Sequence, residues 1–241
     1  MKVAVCVSGL LSGDYVIRNN VVQKEKFSNA DFYYATWIKE KNKFQKNFPN
    51  DNCFFFEEPE MHYHPYFPEN FTSEYFKETK DWILKTNKTA WSSHHTKQIL
   101  IHALLLNNIK NDYDIIVRTR FDAFIWRDPT ANFESFLEDS FRNNRVNAFA
   151  VTRKPMFKTL YESDYVSNPK MKYWLLDQLI IHPTSMFDID NVFRLHQSKQ
   201  LRAAEYGWHQ VLSEPYGNNH RNWHGWVNHD KNIEDKFLRE L

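Results

Sequence analysis

Residues 112–126 read DYDIIVRTRFDAFIW and carry the strongest fold signal in the chain. The first part, Tyr113–Val117, is apolar and β-branched, which predicts a strand in the interior of a sheet. Arg118, Arg120 and Asp122 follow at intervals of two residues. In an extended chain this spacing directs the three side chains to the same side. Because unpaired charges at the end of a buried strand are costly, we expect these three groups to have a partner or a ligand.

The segments on either side of this stretch alternate between strand-like and helix-like patterns. Short apolar or aromatic runs are separated by amphipathic stretches with helical spacing. We predict strands at 2–8, 31–37, 52–56, 113–117 and 146–151, and helices at 16–27, 38–48, 73–85, 92–108, 186–200 and 203–212. This rhythm predicts a single α/β domain over residues 1–241, with a mostly parallel, Rossmann-like central sheet flanked by helices.

Composition disfavours several classes of protein. There are only 5 glycines, and neither the dinucleotide-binding fingerprint nor the P-loop pattern occurs, which argues against Rossmann dehydrogenases and P-loop kinases. The 31 basic and 30 acidic residues nearly cancel and form no basic block, so we expect no nucleic-acid partner. No apolar run reaches the roughly 18 residues of a transmembrane segment. With no signal-peptide pattern and both cysteines inside apolar runs, we expect a cytoplasmic protein.

The charges after the central strand suit a phosphorylated ligand. In open α/β sheets, ligands bind beyond the carboxyl ends of the strands, where Arg118, Arg120 and Asp122 are expected to lie. Arginine side chains match phosphate oxygens bidentately. A carboxylate beside them can hold a divalent cation that also bridges a diphosphate. The combination indicates a nucleoside diphosphate, and the other interpretation is a structural network of arginine and aspartate that closes the edge of the sheet.

The run from Tyr113 to Asp122, with a tyrosine–aspartate pair, an apolar stretch and Arg-x-Arg-x-Asp, resembles the small GT-A glycosyltransferases of large DNA viruses, phages and bacterial polysaccharide clusters. In that family an N-terminal Ser-Gly turn opens the fold, and an Asp-Gln segment follows the acidic motif. Here Ser8-Gly9, Asp122 and Asp177-Gln178 occur in this order. The resemblance covers about residues 1–185 and implies a GT-A-like fold and transfer of a hexose.

The resemblance also implies a UDP- or GDP-sugar donor, a glycan or other hydroxyl acceptor, and Mn²⁺ or Mg²⁺ held by Asp122. The residues that it assigns to donor binding are Ser8, Gly9, Arg18, Arg118, Arg120, Asp122 and Gln178. Two positions depart from the family pattern. The turn often reads SG-x-x-R, whereas position 12 is serine, which leaves Arg18 as the replacement. The usual Asp-x-Asp motif has arginine at position 120, so Asp122 is the single acid of the motif.

Asp177 and Gln178 interrupt the apolar run WLLDQLIIH at residues 174–182. Polar groups in a buried stretch need partners, and at the rim of a site those partners can be substrate hydroxyls. The resemblance places the corresponding acid near the transferred sugar, so Asp177 is our candidate for the catalytic base or for a sugar contact. A helix N-cap or a partner for a buried arginine is the other interpretation of Asp177.

The chain has 11 histidines, which raises the question of a metal site. None of them has the spacing of a zinc protease or a zinc finger, and surface histidines among aromatic residues are the simpler interpretation. In the C-terminal segment, His220 and His224 are the candidates for an additional metal ligand or a contact with the diphosphate.

Three functions follow from these patterns. We favour glycosyl transfer from a nucleotide sugar. A non-catalytic carbohydrate-binding or scaffold protein of the same fold is the second, supported by the missing second acid of the motif. A metal-dependent hydrolase that uses the histidines is the third, and it requires bound zinc or iron.

Overall fold

The computed structural model of the chain describes residues 1–11, 16–59, 89–109, 113–125, 133–150, 161–162, 175–198, 200–201, 204–224 and 227–228. The helix predicted at 73–85 lies outside these ranges. The strands are β1 Val3–Ser8, β2 Asp31–Trp37, β3 Cys53–Phe56, β4 Ile115–Thr119, β5 Phe124–Ile125, β6 Val146–Ala150, β7 Tyr161–Glu162, β8 Leu179–Pro183, β9 His220–His224 and β10 Val227–Asn228. The helices are α1 Val16–Lys26, α2 Lys41–Asn47, α3 Thr89–Ile109, α4 Phe133–Asn143, α5 Ile189–Gln197 and α6 Ala204–Leu212.

Eight of these strands form one mixed sheet in the order β3-β2-β1-β4-β8-β6-β9-β7, and β5 pairs separately with β10. The pairs β3–β2, β2–β1, β1–β4 and β6–β9 are parallel. β8 runs antiparallel between β4 and β6, and β7 is antiparallel to β9. The other six strands therefore share one direction, which confirms the predicted α/β class with a mostly parallel sheet.

The strand order reverses between β1 and β4. The chain proceeds outward from β1 through β2 to β3 and then returns to the other side of β1 as β4. At such a reversal, the connections on the two sides leave in opposite directions and open a crevice beyond the carboxyl ends of the two strands. The crevice is expected beside Gly9 and Arg120, the first residues after β1 and β4.

Each face of the sheet is covered by helices. The helices α3, α5 and α6 pack on one face, around Ile116, Ile180 and Trp208. The helices α1, α2 and α4 pack on the other, around Val117, Phe44 and Phe133. The apolar run of β4 is buried because the two faces of a strand alternate and both are covered. The alternation puts the side chain of Arg118 on the α3–α6 face with Ile116.

No helix in the described part of the chain is long and apolar enough to cross a membrane.

Candidate functional site

The turn after β4 carries a fork between Arg120 and Asp122. The amide of Ala123 donates to the carbonyl of Arg120 across 3.3 Å, so the chain turns here. The extended conformation predicted through Asp122 is therefore wrong beyond Thr119. The turn brings the two side chains together: Arg120 Nε lies 2.7 Å from Asp122 Oδ1, and Arg120 Nη2 lies 2.6 Å from Asp122 Oδ2. This bidentate pair is the strong form of an arginine–carboxylate contact.

Helix α1 fixes the backbone of this turn through two buried amide side chains. Asn19 Nδ2 donates to the carbonyl of Phe121 at 3.0 Å. Gln23 Nε2 lies 3.2 Å from the carbonyl of Arg120 and 3.3 Å from that of Ala123. These contacts satisfy carbonyl groups that a tight turn cannot pair within itself. We call Asn19 and Gln23 the amide clamp.

Arg118 is fully buried, so its side chain is not exposed at the edge of the sheet. Its Nη1 donates to the backbone carbonyl of Asp177, and its Nη2 donates to Gln98 Oε1 at 2.8 Å. The guanidinium carbon lies 4.7 Å from the ring centroid of Trp208, a cation–π distance. The sequence left open whether Arg118 binds a ligand or a group of the protein, and its partners in the structure are groups of the protein. These contacts position the segment before β8.

Asp177 lies at the same edge of the sheet as Arg120 because β8 is reversed. The amino end of β8 lies beside the carboxyl end of β4, with Leu179 opposite Thr119. The carboxylate is nine-tenths buried, and its Oδ2 lies 3.7 Å from Arg120 Nη1. Among the residues that the structure describes, Asp177 Oδ2 accepts no hydrogen bond. Gln178 follows half-buried, and its carbonyl lies 3.5 Å from Thr119 Oγ1.

The charges of Arg118, Arg120, Asp122 and Asp177 balance within this group, which we call the charge cluster. Burial lowers the pKa of Arg118 to about 9, which still leaves it protonated at neutral pH. Burial also acts to lower the pKa of Arg120, but the contacts with Asp122 and Asp177 outweigh it and raise that pKa. Both guanidiniums are therefore charged. An anionic ligand has to replace a carboxylate at Arg120 or arrive with a cation.

Ser8 and Gly9 line the other side of the reversal. Ser8 is fully buried at the end of β1. Gly9 has a φ of +129°, a region that favours glycine, and a Cβ placed there would meet nothing within 4 Å. Its amide donates to the carbonyl of Ala35 at 3.2 Å, and its carbonyl accepts from Thr36 Oγ1 at 2.8 Å. Among the described residues, none therefore fills the space beside Gly9 at the carboxyl end of β1.

The structure brings only some of the other predicted residues to this edge. His220 is the first residue of β9 and pairs with Val146. Across the sheet, Thr119 is level with Trp223, so His220 lies three residues, or about 10 Å along the strand, before that level. Its Nδ1 lies 2.5 Å from Ser213 Oγ, so the structure does not bring it to Asp122. His224 ends β9 at the carboxyl edge, but its side chain and that of Arg18 lie outside the described residues.

The charge cluster offers few oxygen ligands for Mn²⁺ or Mg²⁺. Both oxygens of Asp122 contact Arg120. In the described ranges, no group of three or more His, Cys, Asp or Glu is arranged to hold a metal ion. Magnesium-type sites with one or two carboxylates complete their shell with substrate phosphates and water. The cluster therefore fits a cation only if a diphosphate supplies ligands and replaces Asp122 at Arg120.

Two buried histidines lie on the same face of the sheet as Arg118. The ring centroids of His102 and His182 are 5.8 Å apart, and that of His102 is 5.5 Å from Trp208. His182 Nδ1 lies 2.8 Å from the carbonyl of Pro183 and donates to it. Burial is the main cause that lowers the pKa of both rings, that of His182 to about 4. The two histidines are therefore neutral in the folded protein.

We expect the free energy of unfolding to fall as the pH decreases from about 6.5 to about 4. In this window the unfolded chain binds protons at His102 and His182 and the folded chain does not, so acid favours unfolding. Above about pH 6.5, the pKa of histidine in the unfolded chain, the two histidines no longer lower the free energy of unfolding. Urea unfolding at about pH 7 and about pH 5 measures it. His182→Asn, which keeps a donor near Pro183, should reduce the pH dependence; equal stability of the unmodified protein at both pH values would contradict the prediction.

Comparison with known proteins identifies the fold. No family model and no curated protein matches the sequence. The 4-diphosphocytidyl-2C-methyl-D-erythritol synthase of Anaerococcus prevotii is similar in structure, with a TM-score of 0.52 and 8% identity over 99% of this chain and 96% of that chain. A glycosyltransferase involved in the glycosylation of the major capsid of PBCV-1 has a TM-score of 0.49 and 10% identity over 100% of both chains. S. aureus TarS in complex with UDP-GlcNAc has a TM-score of 0.45 and 11% identity over 97% of this chain and 61% of that chain.

At these identities structural similarity establishes the fold alone, and the first comparison, with its TM-score above 0.5, carries that assignment. The chain has the Rossmann-like α/β fold found in GT-A enzymes and nucleotidyltransferases.

Proposed function

We propose that this chain is a glycosyltransferase that transfers a hexose from a UDP- or GDP-sugar to a hydroxyl group of a glycan or another acceptor. The observation that carries the proposal is the position of the charge cluster. In this fold, the reversal between β1 and β4 is where a nucleotide is expected to bind. A guanidinium, Arg120, and two carboxylates, Asp122 and Asp177, lie at that reversal.

The diphosphate of the donor binds at Arg120 in this proposal. Its oxygens take the place of the Asp122 carboxylate in the bidentate contact, because phosphate and carboxylate present similar pairs of acceptors to a guanidinium. Asp122 and the diphosphate would together hold Mn²⁺ or Mg²⁺, which supplies positive charge to the leaving group. Gly9 lets the chain approach the nucleotide closely, next to Ser8, and Arg18 on α1 remains a donor-binding candidate.

Asp177 has the catalytic role. Its carboxylate takes the proton of the acceptor hydroxyl while the hydroxyl oxygen bonds to the anomeric carbon, and the bond from that carbon to the diphosphate oxygen breaks. The negative charge of Asp177 also stabilises the oxocarbenium-like transition state. Arg118 holds the backbone carbonyl of Asp177 and so acts as a positioning residue, while Gln178 is the candidate contact with the sugar.

Nucleoside diphosphates are expected to stabilise the folded protein in a thermal-shift assay with Mn²⁺. A ligand at about 100 times its Kd adds about 2.7 kcal/mol to the free energy of unfolding. The increase should be smaller in Asp122→Asn, which has a weaker cation ligand, and unchanged in Asp190→Asn, an exposed position on α5. Absence of a shift with every nucleoside diphosphate at millimolar concentration would contradict the proposal.

A carbohydrate-binding protein without catalysis is the second candidate. The fork between Arg120 and Asp122 favours it, because the single acid of the motif is already paired. This function predicts that free sugars or glycans stabilise the protein while nucleoside diphosphates do not, and that no nucleotide sugar is consumed. The same thermal-shift assay with sugars added therefore separates the two candidates.

A further inference from the structure

Two lysines and one glutamate meet at the carboxyl edge of β2 and β3. Lys39 lies in the short 3-10 helix Ile38–Glu40 that follows β2, and Glu58 follows β3 by two residues. Lys97 comes from α3, next to Gln98, which binds Arg118. These side chains belong to three separate elements and are brought together only by the fold.

Glu58 accepts from both lysines, one on each carboxylate oxygen. Lys97 Nζ lies 2.9 Å from Oε1, and Lys39 Nζ contacts Oε2. Burial acts to raise the pKa of Glu58, but the two ammonium groups outweigh it and lower that pKa, so the carboxylate is an acceptor at neutral pH. Each ammonium has three N–H donors, and a contact with Glu58 uses one of them. The group therefore presents the sequence donor, acceptor, donor.

This pattern complements one kind of nucleobase edge. The imide edge of uracil presents O4, N3–H and O2, which is acceptor, donor, acceptor. Cytosine presents an amino donor followed by two acceptors, and guanine presents one acceptor followed by two donors. Adenine has an amino donor beside a ring acceptor. Only the imide edge of uracil or thymine matches the sequence Lys39, Glu58, Lys97 at all three positions, and a buried hydrogen-bonding group left without a partner weakens binding.

The distance along the sheet also fits a nucleotide. From β4, which leads to Arg120, to β3, which leads to Glu58, are three strand spacings, or about 14 Å. An extended nucleoside diphosphate has its base and its terminal phosphate at opposite ends. If the diphosphate binds at Arg120 and the ligand extends past β1 and β2, its base reaches the level of Glu58. The exposed fraction of Lys39 is 52%, that of Glu58 20% and that of Lys97 15%, so the group is mostly buried but each side chain keeps some accessible surface.

We infer that Lys39, Glu58 and Lys97 form the base subsite of the donor and select the imide edge of uracil or thymine, so that the donor is a UDP- or dTDP-sugar rather than a GDP-sugar. This inference rests on the proposed function. It assigns a recognition role to three side chains of the described segments that lie outside the charge cluster.

Calorimetric titration of the full chain with UDP, dTDP, GDP, CDP and ADP, each with Mn²⁺, tests the inference. UDP and dTDP are expected to bind at least about tenfold more tightly than the others, and methylation of uracil N3 should remove that advantage. Glu58→Gln, which replaces one acceptor with an N–H donor, should weaken UDP binding by about tenfold and leave CDP binding unchanged. Glu40→Gln, in the same short helix as Lys39, is the matched control and should change neither.

Lys39→Met is a second variant. Because Lys39 is half exposed, we expect this substitution to leave the fold unchanged. It should weaken UDP binding while the thermal midpoint without ligand stays unchanged. Equal affinities for all five diphosphates, or a UDP to CDP ratio that neither variant changes, would overturn the base assignment and leave the proposed function standing. Absence of binding by every diphosphate would overturn both.

Discussion

Arg118→Met is expected to lower the free energy of unfolding by about 2–6 kcal/mol, because it leaves two buried acceptors without a donor at about 1–3 kcal/mol each. The methionine fills part of the volume beside Trp208 but donates no hydrogen bond. The carbonyl of Asp177 and the side-chain oxygen of Gln98 then lose their donor in the interior. The Asp177 carboxylate also loses one of two nearby positive charges.

Arg142→Met is the matched control for this substitution. Arg142 is 73% exposed on α4 and faces Glu138 one turn away, so its removal should change stability by less than about 0.5 kcal/mol. Urea unfolding of the two variants gives the comparison. If Arg118→Met unfolded at the same urea concentration as Arg142→Met, the buried contacts of Arg118 would have no structural importance.

Asp177→Asn is expected to reduce the rate of sugar transfer by about 10²–10⁴-fold, the usual contribution of a general base. The amide has nearly the same shape as the carboxylate but cannot take a proton from the acceptor hydroxyl. The backbone carbonyl of residue 177 still accepts from Arg118, so the segment before β8 should keep its position. Affinity for the nucleoside diphosphate should change by much less than the rate.

Asp188→Asn serves as the control for this variant. The side chain of Asp188 caps α5 by accepting from the backbone amide of Asn191 at 3.1 Å. Asparagine caps helices equally well. Rates of UDP release from several UDP-sugars, with a glycan acceptor present, separate the variants. An Asp177→Asn enzyme that transfers sugar as fast as the Asp188→Asn enzyme would remove Asp177 from the mechanism.

The early part of the fold could be predicted because its signals are local. The strand predicted at 31–37 is observed with the same bounds, and α1 and β1 begin within one residue of the predicted positions. Continuous apolar runs and helical spacing are properties of a few neighbouring residues. Helix α4, at Phe133–Asn143, was not predicted, although Phe133 and Leu137 repeat at helical spacing and are buried.

Strand β9 could not be predicted from local pattern. Its sequence is HRNWH, and its inward positions are polar. Asn222 is fully buried because its side chain accepts from the amide of Leu176, and His220 is buried against Ser213. Hydrophobic periodicity does not reveal a strand whose buried side chains are satisfied by hydrogen bonds to distant elements.

The sequence indicates which charged residues lie near the end of β4 but not how they contact one another. The sequence places Arg118, Arg120 and Asp122 after one strand, and the structure shows them together with Asp177. The sequence could not show that Arg118 is buried and bonded within the protein, because its partners Gln98 and Asp177 lie 20 and 59 residues away along the chain. Nor does any local pattern indicate that Lys97 meets Glu58, 39 residues earlier.

The amide clamp of Asn19 and Gln23 bears on how such a site can evolve. Both side chains donate to main-chain carbonyls of the turn, which every amino acid possesses. The frame that these bonds form around the turn therefore does not depend on which side chains occupy positions 120 and 122. A substitution can therefore exchange a metal-binding aspartate for a phosphate-binding arginine, or the reverse, without rebuilding the loop. Lengthening the loop would break the frame at once. The same scaffold is thus open to new chemistry by substitution and closed to it by insertion.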